Sequence, residues 1–524
     1  VALLPILVLA TACGTGAKDS QSVIVRRLEG EPKTLNPILA TTDAELAVLA
    51  LVSRNLLDYD SHLDLMPGLA ESIESDPAHL VYTVKLKPGL RWEDGSEIRA
   101  SDVVFTLRLL MDPKTPSPNR KGFFEGFEKA EAVDDLTARV TFKSASSARR
   151  DAFNLPLLPE KHYKNTDLLA NPMNRQPLAN GPYKVARWKS GQSIDLIRNT
   201  QFSGPLSPAE KLVFRIVPDS GAAYPALLNG EIHDARLTFA QMQDLKKKGA
   251  ASATASVLLY PELGYTYIGW SHKHPLFVDR EVRRALTRLI DREAIARTIY
   301  GGTATPAAGP IPPGLWFHDP AIAPLAFDPA AAAQALSAAG FARGKDGVLT
   351  REDQRFSFKL SMGSGSEIQR QIAEFVQQEF RKAGIEMTLE MMEWSAFTTR
   401  VDAGDFEACF LAMSLDPNPD FSISWHSAQL PPGGWNYYYY SNPEVDRTLD
   451  QLKATFEKEE ARKLYSRLQH LLNEDQPVTF LHNVQVKWGL SKRIEGVTAS
   501  PLGLSLFWPG ASSWRPVAVS RPVS

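Results

Sequence analysis

Residues 355–392 read RFSFKLSMGSGSEIQRQIAEFVQQEFRKAGIEMTLEMM, and the hydrophobic period changes twice within them. Phe356, Phe358, Leu360 and Met362 alternate, which is the period-2 signature of a strand. Ile368, Ile372, Phe375, Val376, Phe380 and Ala383 then recur at helical spacing. Ser364 or Ser366 can cap the start of that helix, and Gly384 can end it. Ile385, Met387, Leu389 and Met391 alternate once more. Strand, helix and strand of this length make a βαβ unit with a right-handed crossover, so the fold class is α/β.

Working outward, DFEACFLAMSL (405–415) is continuously apolar from Ala408 to Met413, as expected of a strand covered on both faces. It delivers a stiff acidic loop, Asp416-Pro417-Asn418-Pro419-Asp420, followed by Phe421, Trp425 and His426. In open α/β sheets ligands bind beyond the carboxyl ends of the strands, which is where this loop starts. The prolines restrict the loop before any ligand arrives. The structural alternative is that Asp416 merely caps a turn, a task Asp before Pro performs well.

Elsewhere the pattern is mixed. Residues 22–36 hold a lead strand, SVIVRRL, and a helix is expected from Ser101 or Asp102 through Leu109. Residues 180–199 read as a hairpin turning at Ser190-Gly191-Gln192. Two helices should open at Asp279 and Asp291, and another at Asn442 with Pro443 in its first position. With 524 residues the chain exceeds one ordinary core, and two or three lobes are expected. Lys plus Arg total 58 against 60 Asp plus Glu, a balance that offers no long-range attraction to a polyanion and argues against nucleic-acid binding. The basic run Lys246-Lys247-Lys248 reads as a solvated helix end.

VALLPILVLATACGTGAKDS, residues 1–20, is an apolar segment followed by small residues, Cys13 and a polar tether. It is too short to span a bilayer, where about 20 apolar residues are needed, and suits a signal peptide. ATAC is similar to a bacterial lipobox, although Ala10 stands where leucine is usual. Residues 1–21 are therefore expected to be a signal peptide, lipobox and tether, with Cys13 lipidated. The only other cysteine, Cys409, would then have no disulfide partner and reads as a small buried hydrophobe.

Signatures of catalysis are absent: no HExxH, GxSxG or CxxC occurs. GFARGK (340–345) is one residue short of a phosphate-binding loop and is followed by Asp346. His272 and His274 have no acidic or cysteine cluster beside them, so no metal site is expected. Glu125, Glu128 and Glu131 read as a solvated face. The expectation is a protein without enzymatic activity or cofactor.

Six stretches carry a resemblance: LNPILATTD (35–43), LMPGLAESIESDPAHLVYTVKLKPGLRWEDGSEIRASDVVFTLRLLMDP (65–113), ANGPYKVARWKSGQSIDLIRN (179–199), PLFVDREVRRALTRLIDREAIARTIYGGTATPAAGPIPP (275–313), YYSNPEVDRTLDQL (439–452) and QPVTFLHN (476–483). In this order they resemble the extracellular solute-binding proteins of ABC importers, in the dipeptide/oligopeptide/nickel family. The resemblance implies a three-lobed periplasmic-binding-protein fold of type II with mixed sheets. Lobe I would combine 22–36, 176–262 and 478–515; lobe II would be inserted at 37–175; lobe III would cover 263–477. The ligand would be enclosed between lobes I and III by hinge closure. The partners implied are a small peptide or related solute, the transmembrane subunits of an ABC permease, and a membrane reached through the lipid anchor. The protein itself would be a monomer in the bacterial cell envelope, periplasmic or on the outer face of the membrane.

The resemblance also assigns residues. In peptide-binding members an aspartate ten residues after the Phe of a DF(D/E) strand holds the peptide ammonium, and from Phe406 that position is Asp416. The tryptophan twelve residues before that Phe, which lines a side-chain pocket, is matched by Trp394. Met413 replaces the family's usual tryptophan, Gly269-Trp270 replaces Phe-Asn, and the loop lacks the common Asp-Tyr form. These changes alter the pocket and admit ligands with other head groups. Further lining is expected from Ser414, from Thr41, Thr42 and Asp43, from Tyr265, Tyr267 and Trp270, and from Trp435 and Asn436, with at most two of Tyr437 to Tyr440 facing the cleft. The leading expectation is a peptide receptor that delivers to a permease. The alternatives are a binding protein for a metal chelate such as nickel, an opine or a sugar-like compound, and, remotely, a secreted hydrolase.

Overall fold

The computed structural model describes residues 23–249 and 254–517, so Cys13 and the expected signal segment lie outside it. The βαβ unit is present. Strand Ser357–Gly363 runs parallel to Glu386–Met392, and helix Glu367–Ala383 joins them. Ser366 caps the helix through the backbone N–H of Gln369, and Gly384 ends it in the left-handed region at φ 87°. Ile372, Val376 and Phe380 enter the core as expected. Ile368 and Met391 do not: they are 41% and 51% exposed. Both lie at the carboxyl end of the parallel strands, where the helical and strand patterns run past the edge of the core.

This unit belongs to an eight-stranded mixed sheet in the order Asp234–Arg236, Val478–Ser491, Gly264–Trp270, Ala408–Ser414, Ser357–Gly363, Glu386–Met392; Ala255–Pro261 and Ala304–Pro306 also pair with Val478–Ser491. The long strand Val478–Ser491 is shared. Its first residues pair with Gly264–Trp270, and Gln485–Ser491 pair with Ala255–Pro261. The chain therefore passes between two halves of the sheet at 262–263 and again near 483–484. The boundary expected at 477/478 falls at the start of this strand.

A four-stranded sheet combines the lead strand Val23–Leu28, parallel to Lys211–Ile216, with the expected hairpin Tyr183–Lys189 and Ser193–Arg198. A second four-stranded sheet is antiparallel and lies wholly within 70–142, with helix Ala100–Met111 against it and its own apolar core. Asp279, Asp291 and Asn442 cap helices Arg280–Arg288, Arg292–Thr298 and Pro443–Lys453.

One expectation about the central sheet changes. Strand Ala408–Ser414 is buried on both faces only through Phe410, after which exposure alternates: Ala412 and Ser414 are open, while Leu411 and Met413 are half-buried. The apolar composition of 411–413 hides this.

Candidate functional site

The carboxyl ends of the three parallel strands converge. Gly363 ends the first, Met392 the second and Ser414 the third, and the Ser364 N–H donates to the Met392 carbonyl at 2.8 Å. Trp394 follows the second strand at the start of helix Trp394–Asp402 and is 58% exposed. Its ring lies over Gly363, where an added Cβ would come within 2.8 Å of it, so glycine is what allows the indole to lie flat there.

Asp416 leaves the third strand. The Leu415 N–H donates to the Leu263 carbonyl at 2.8 Å, tying the loop entry to the crossing point at 262–263. The turn is capped by the other aspartate of the loop, since Asp420 accepts the Ser422 N–H at 2.8 Å. Pro417 is buried, and Phe421 and Trp425 pack into the core beside Phe317, Tyr465 and Tyr438. The Asp416 side chain remains accessible, yet it has no hydrogen-bond donor among the described residues. Its carboxyl is held above the usual range, first by desolvation; Asp151 adds to the rise and Arg120 opposes it.

Segment 37–175 meets this loop. Asp151 accepts from Tyr59 Oη and from Asn418 Nδ2, each at 2.8 Å, so the loop bearing Asp416 is fastened to the inserted segment. Burial raises the Asp151 pKa and outweighs the two donors, each of which stabilises the carboxylate and lowers it. Tyr59, Arg120 and Asp151 carry no sequence signal. Arg120 lies in the polar run PSPNRKGF (116–123), which reads as a surface turn.

The remaining expected residues divide. Thr41, Thr42 and Asp43 are exposed, with Thr42 capping helix Asp43–Val52. Buried Glu45 gathers the N–H groups of Lys33, Thr34, Thr41 and Thr42, which holds both ends of that loop together. Trp435 is 45% exposed. Tyr265, Tyr267, Trp270 and Asn436, in contrast, are interior. Tyr267 meets Tyr438 hydroxyl to hydroxyl at 2.5 Å, and Tyr265 packs on Tyr267 and Phe480. Trp270 Nε1 donates to Thr479 Oγ1 at 3.1 Å within the core. The Asn436 amide is spent on the His426 carbonyl and on the backbone of Tyr440. These four are scaffold in this conformation: the strand Gly264–Trp270 is buried along its whole length, and Asn436 turns inward beside exposed Trp435. Tyr438 and Tyr440 are likewise buried, leaving Tyr437 and Tyr439 partly open. Met413 packs partly against the same aromatic core, and Ser414 is exposed. Among the described residues no group of three or more His, Cys, Asp or Glu is placed to hold a metal ion, and no helix is long and apolar enough to cross a membrane.

A model of the bacterial extracellular solute-binding proteins, family 5, matches residues 64–435. The oligopeptide-binding protein AppA of Bacillus subtilis is 30% identical over 483 residues, covering 90% of this chain and 88% of that one. The structure of AppA from Bacillus subtilis in complex with a nonapeptide superposes with TM-score 0.76 at 28% identity, over 95% of this chain and 99% of that chain. NikZ from Campylobacter jejuni in complex with Ni(L-His) gives TM-score 0.79 at 25% identity, over 94% and 99%. The chain belongs to family 5 of the bacterial extracellular solute-binding proteins.

Proposed function

We propose that the protein is the non-catalytic, solute-capturing component of an ABC importer, enclosing short peptides by hinge closure and delivering them to the permease. The observation that carries the peptide reading is Asp416, an accessible, desolvated carboxylate with no donor of its own. A peptide ammonium supplies what it lacks, since a desolvated charge is costly until it is paired. The strand that bears it supports the same reading. Ala408–Ser414 pairs along one edge with Gly264–Trp270, but Ser357–Gly363 meets its other edge only at Ala408 and Cys409. From Phe410 onward that edge has no strand partner among the described residues, and an extended peptide can add to it through main-chain hydrogen bonds. Trp394 and Ser414 line this reach, with Thr41, Thr42, Asp43 and Trp435 as outer contacts. The similar AppA structure holds a nonapeptide, which is consistent with the assignment.

A thermal-shift screen of di- to pentapeptides tests the reading. A true ligand at 100 times its Kd adds about 2.7 kcal/mol of stability by mass action. Concentration-dependent rises are expected. Failure of every peptide alongside a rise with a metal chelate, an opine or a sugar would replace the peptide with that solute. The proposal includes a monomer tethered to the cell envelope through lipid on Cys13, supported by the LATAC stretch and its polar tether. One acyl chain binds membranes marginally, whereas several anchor stably. Cys13→Ala should shift the protein out of the membrane fraction, and unchanged fractionation would count against the anchor.

A further inference from the structure

The sheet face beneath Trp394 carries a polar cluster. Ser361 and Gly363 are two residues apart on strand Ser357–Gly363, so they share a face, and they pair in register with Glu390 and Met392 of the parallel neighbour. Helix Trp394–Asp402 lies across that face. A Cβ added to Gly363 would come within 2.8 Å of the Trp394 indole and 3.8 Å of the Phe397 ring. Further back on the helix, Arg400 Nη1 donates to Glu390 Oε2 at 2.8 Å, and the same oxygen accepts from Ser361 Oγ at 2.9 Å. Arg400 Nε donates to the Asp405 carbonyl at 2.8 Å, in the turn that precedes strand Ala408–Ser414. Six residues of helix set Arg400 about 9 Å behind Trp394 along the axis. The helix is therefore fixed to the strands at two separate points, its aromatic start and its basic end.

The apolar contacts hold this helix down without orienting it. Phe397 and Val401 are buried in the core, whereas Trp394 is 58% exposed, so the indole goes where the start of the helix puts it. The Arg400 and Glu390 side chains are 33% and 32% exposed, and a pair that open to water adds little to stability. What it adds is direction. A planar guanidinium that donates to two different segments resists both rotation of the helix about its axis and sliding along the strands. We propose that Arg400, seated on Glu390 and Ser361, is the positioning residue that aims Trp394 at the ligand and so sets how strongly a ligand side chain is selected. The inference rests on the reading above that Trp394 lines the bound peptide. Main-chain pairing along the open edge of Ala408–Ser414 does not pass through this helix, so losing the clamp should erode side-chain selectivity and spare the affinity for peptide backbone.

Titration calorimetry of trialanine and its three single-phenylalanine forms tests this on the wild type, Trp394→Ala, Arg400→Met and Arg400→Lys, with melting temperatures confirming that the variants fold. Trp394→Ala identifies the peptide position whose preference for Phe over Ala depends on the indole. At that position Arg400→Met should reduce the preference by about fivefold, the scale of one aromatic contact, while trialanine keeps its wild-type affinity. Arg400→Lys retains the charge on Glu390 without the rigid fork and should restore part of the preference. Labelling with 5-fluorotryptophan adds a readout that needs no ligand. The fluorine resonance of Trp394, assigned by its loss in Trp394→Phe, should shift or broaden in Arg400→Met and move back toward its wild-type position in Arg400→Lys. A preference unchanged in Arg400→Met, or one that Trp394→Ala leaves intact at every position, would overturn the proposal. So would equal losses for trialanine and the phenylalanine forms, which would give Arg400 a merely structural role. If none of the four peptides binds the wild type, the peptide reading falls on its own account; a moved resonance would then uphold the aiming of Trp394 by Arg400, and an unmoved one would overturn it.

Discussion

The loop 416–420 presents two aspartates to the same turn, and they do different work. Asp420 takes the capping role through the Ser422 N–H, which leaves Asp416 without a donor among the described residues at the end of a half-open strand. Asp416→Asn should therefore weaken a peptide with a free amino terminus by about 2–5 kcal/mol and its N-acetylated form far less, because Asn also tolerates the turn. Calorimetry of one peptide in both forms reads the difference, and equal losses would return Asp416 to a structural role. The pH dependence has a definite sign. Burial raises the Asp416 pKa, with Asp151 adding and Arg120 opposing, so the unliganded folded state binds this proton more tightly than the unfolded chain does. The group costs stability above its folded pKa, and the cost is relieved as pH falls through that value. An ammonium requires the ionised form. Affinity should thus decline on acidification at a pH above that of an ordinary aspartate, and Asp416→Asn should lose that dependence.

At the scale of the element, the strand Gly264–Trp270 explains a departure from the family pattern. Every residue of it is buried. Gly269 stands where the resemblance leads one to expect a phenylalanine, and an added Cβ would lie 2.3 Å from the Tyr438 ring and 3.0 Å from Cys409 Sγ. The missing side chain is filled by Tyr438, whose hydroxyl bonds to Tyr267 two residues earlier on the same strand. Gly269→Ala should consequently displace Tyr438 and cost about 1–3 kcal/mol, the usual range for overpacking a filled core. Urea unfolding measures it, and an unchanged midpoint would mean that the ring relocates freely. Trp270 belongs to the same adjustment: it packs on Phe277 and Phe358, on the helix-covered face of the sheet.

For the whole molecule, the two segments near 262–263 and 483–484 pass from one half of the central sheet to the other among the described residues, and the proposed closure places its hinge there. Beyond the hinge, segment 37–175 meets the third lobe at several points. Asn418 bonds Asp151, Ser147 Oγ donates to the Leu452 carbonyl at 2.8 Å, His79 stacks on Phe456 at 3.6 Å, and Lys458 lies 3.8 Å from Asp64. The last two are exposed and contribute little individually. A ligand that bridges the halves shifts the population only by its differential affinity for the closed form. Saturating ligand should lower the radius of gyration in small-angle scattering, and a profile that does not change on saturation would remove hinge closure from the proposal.

The sequence by itself determined the local elements. Period-2 and helical spacing in 355–392, the Ser366 and Gly384 caps and the helix starts at Asp279, Asp291 and Asn442 all depend on neighbours within a few residues, and each is present. The family was legible too, because its motifs are contiguous. The cleft was legible only in part. The resemblance assigns Asp416 and Trp394 by their spacing from Phe406, but which aromatic turns inward is decided by packing between segments far apart in the chain. Tyr265, Tyr267, Trp270 and Asn436 turned inward for this reason, while Met391 turned outward. Arg120 and Asp151 had no signal at all, since nothing local distinguishes a charged residue in a surface turn from one that another lobe will enclose. Only the tertiary structure brings them to Asp416, by packing the inserted segment against a loop nearly three hundred residues later (|i−j| = 267 for Asn418 and Asp151).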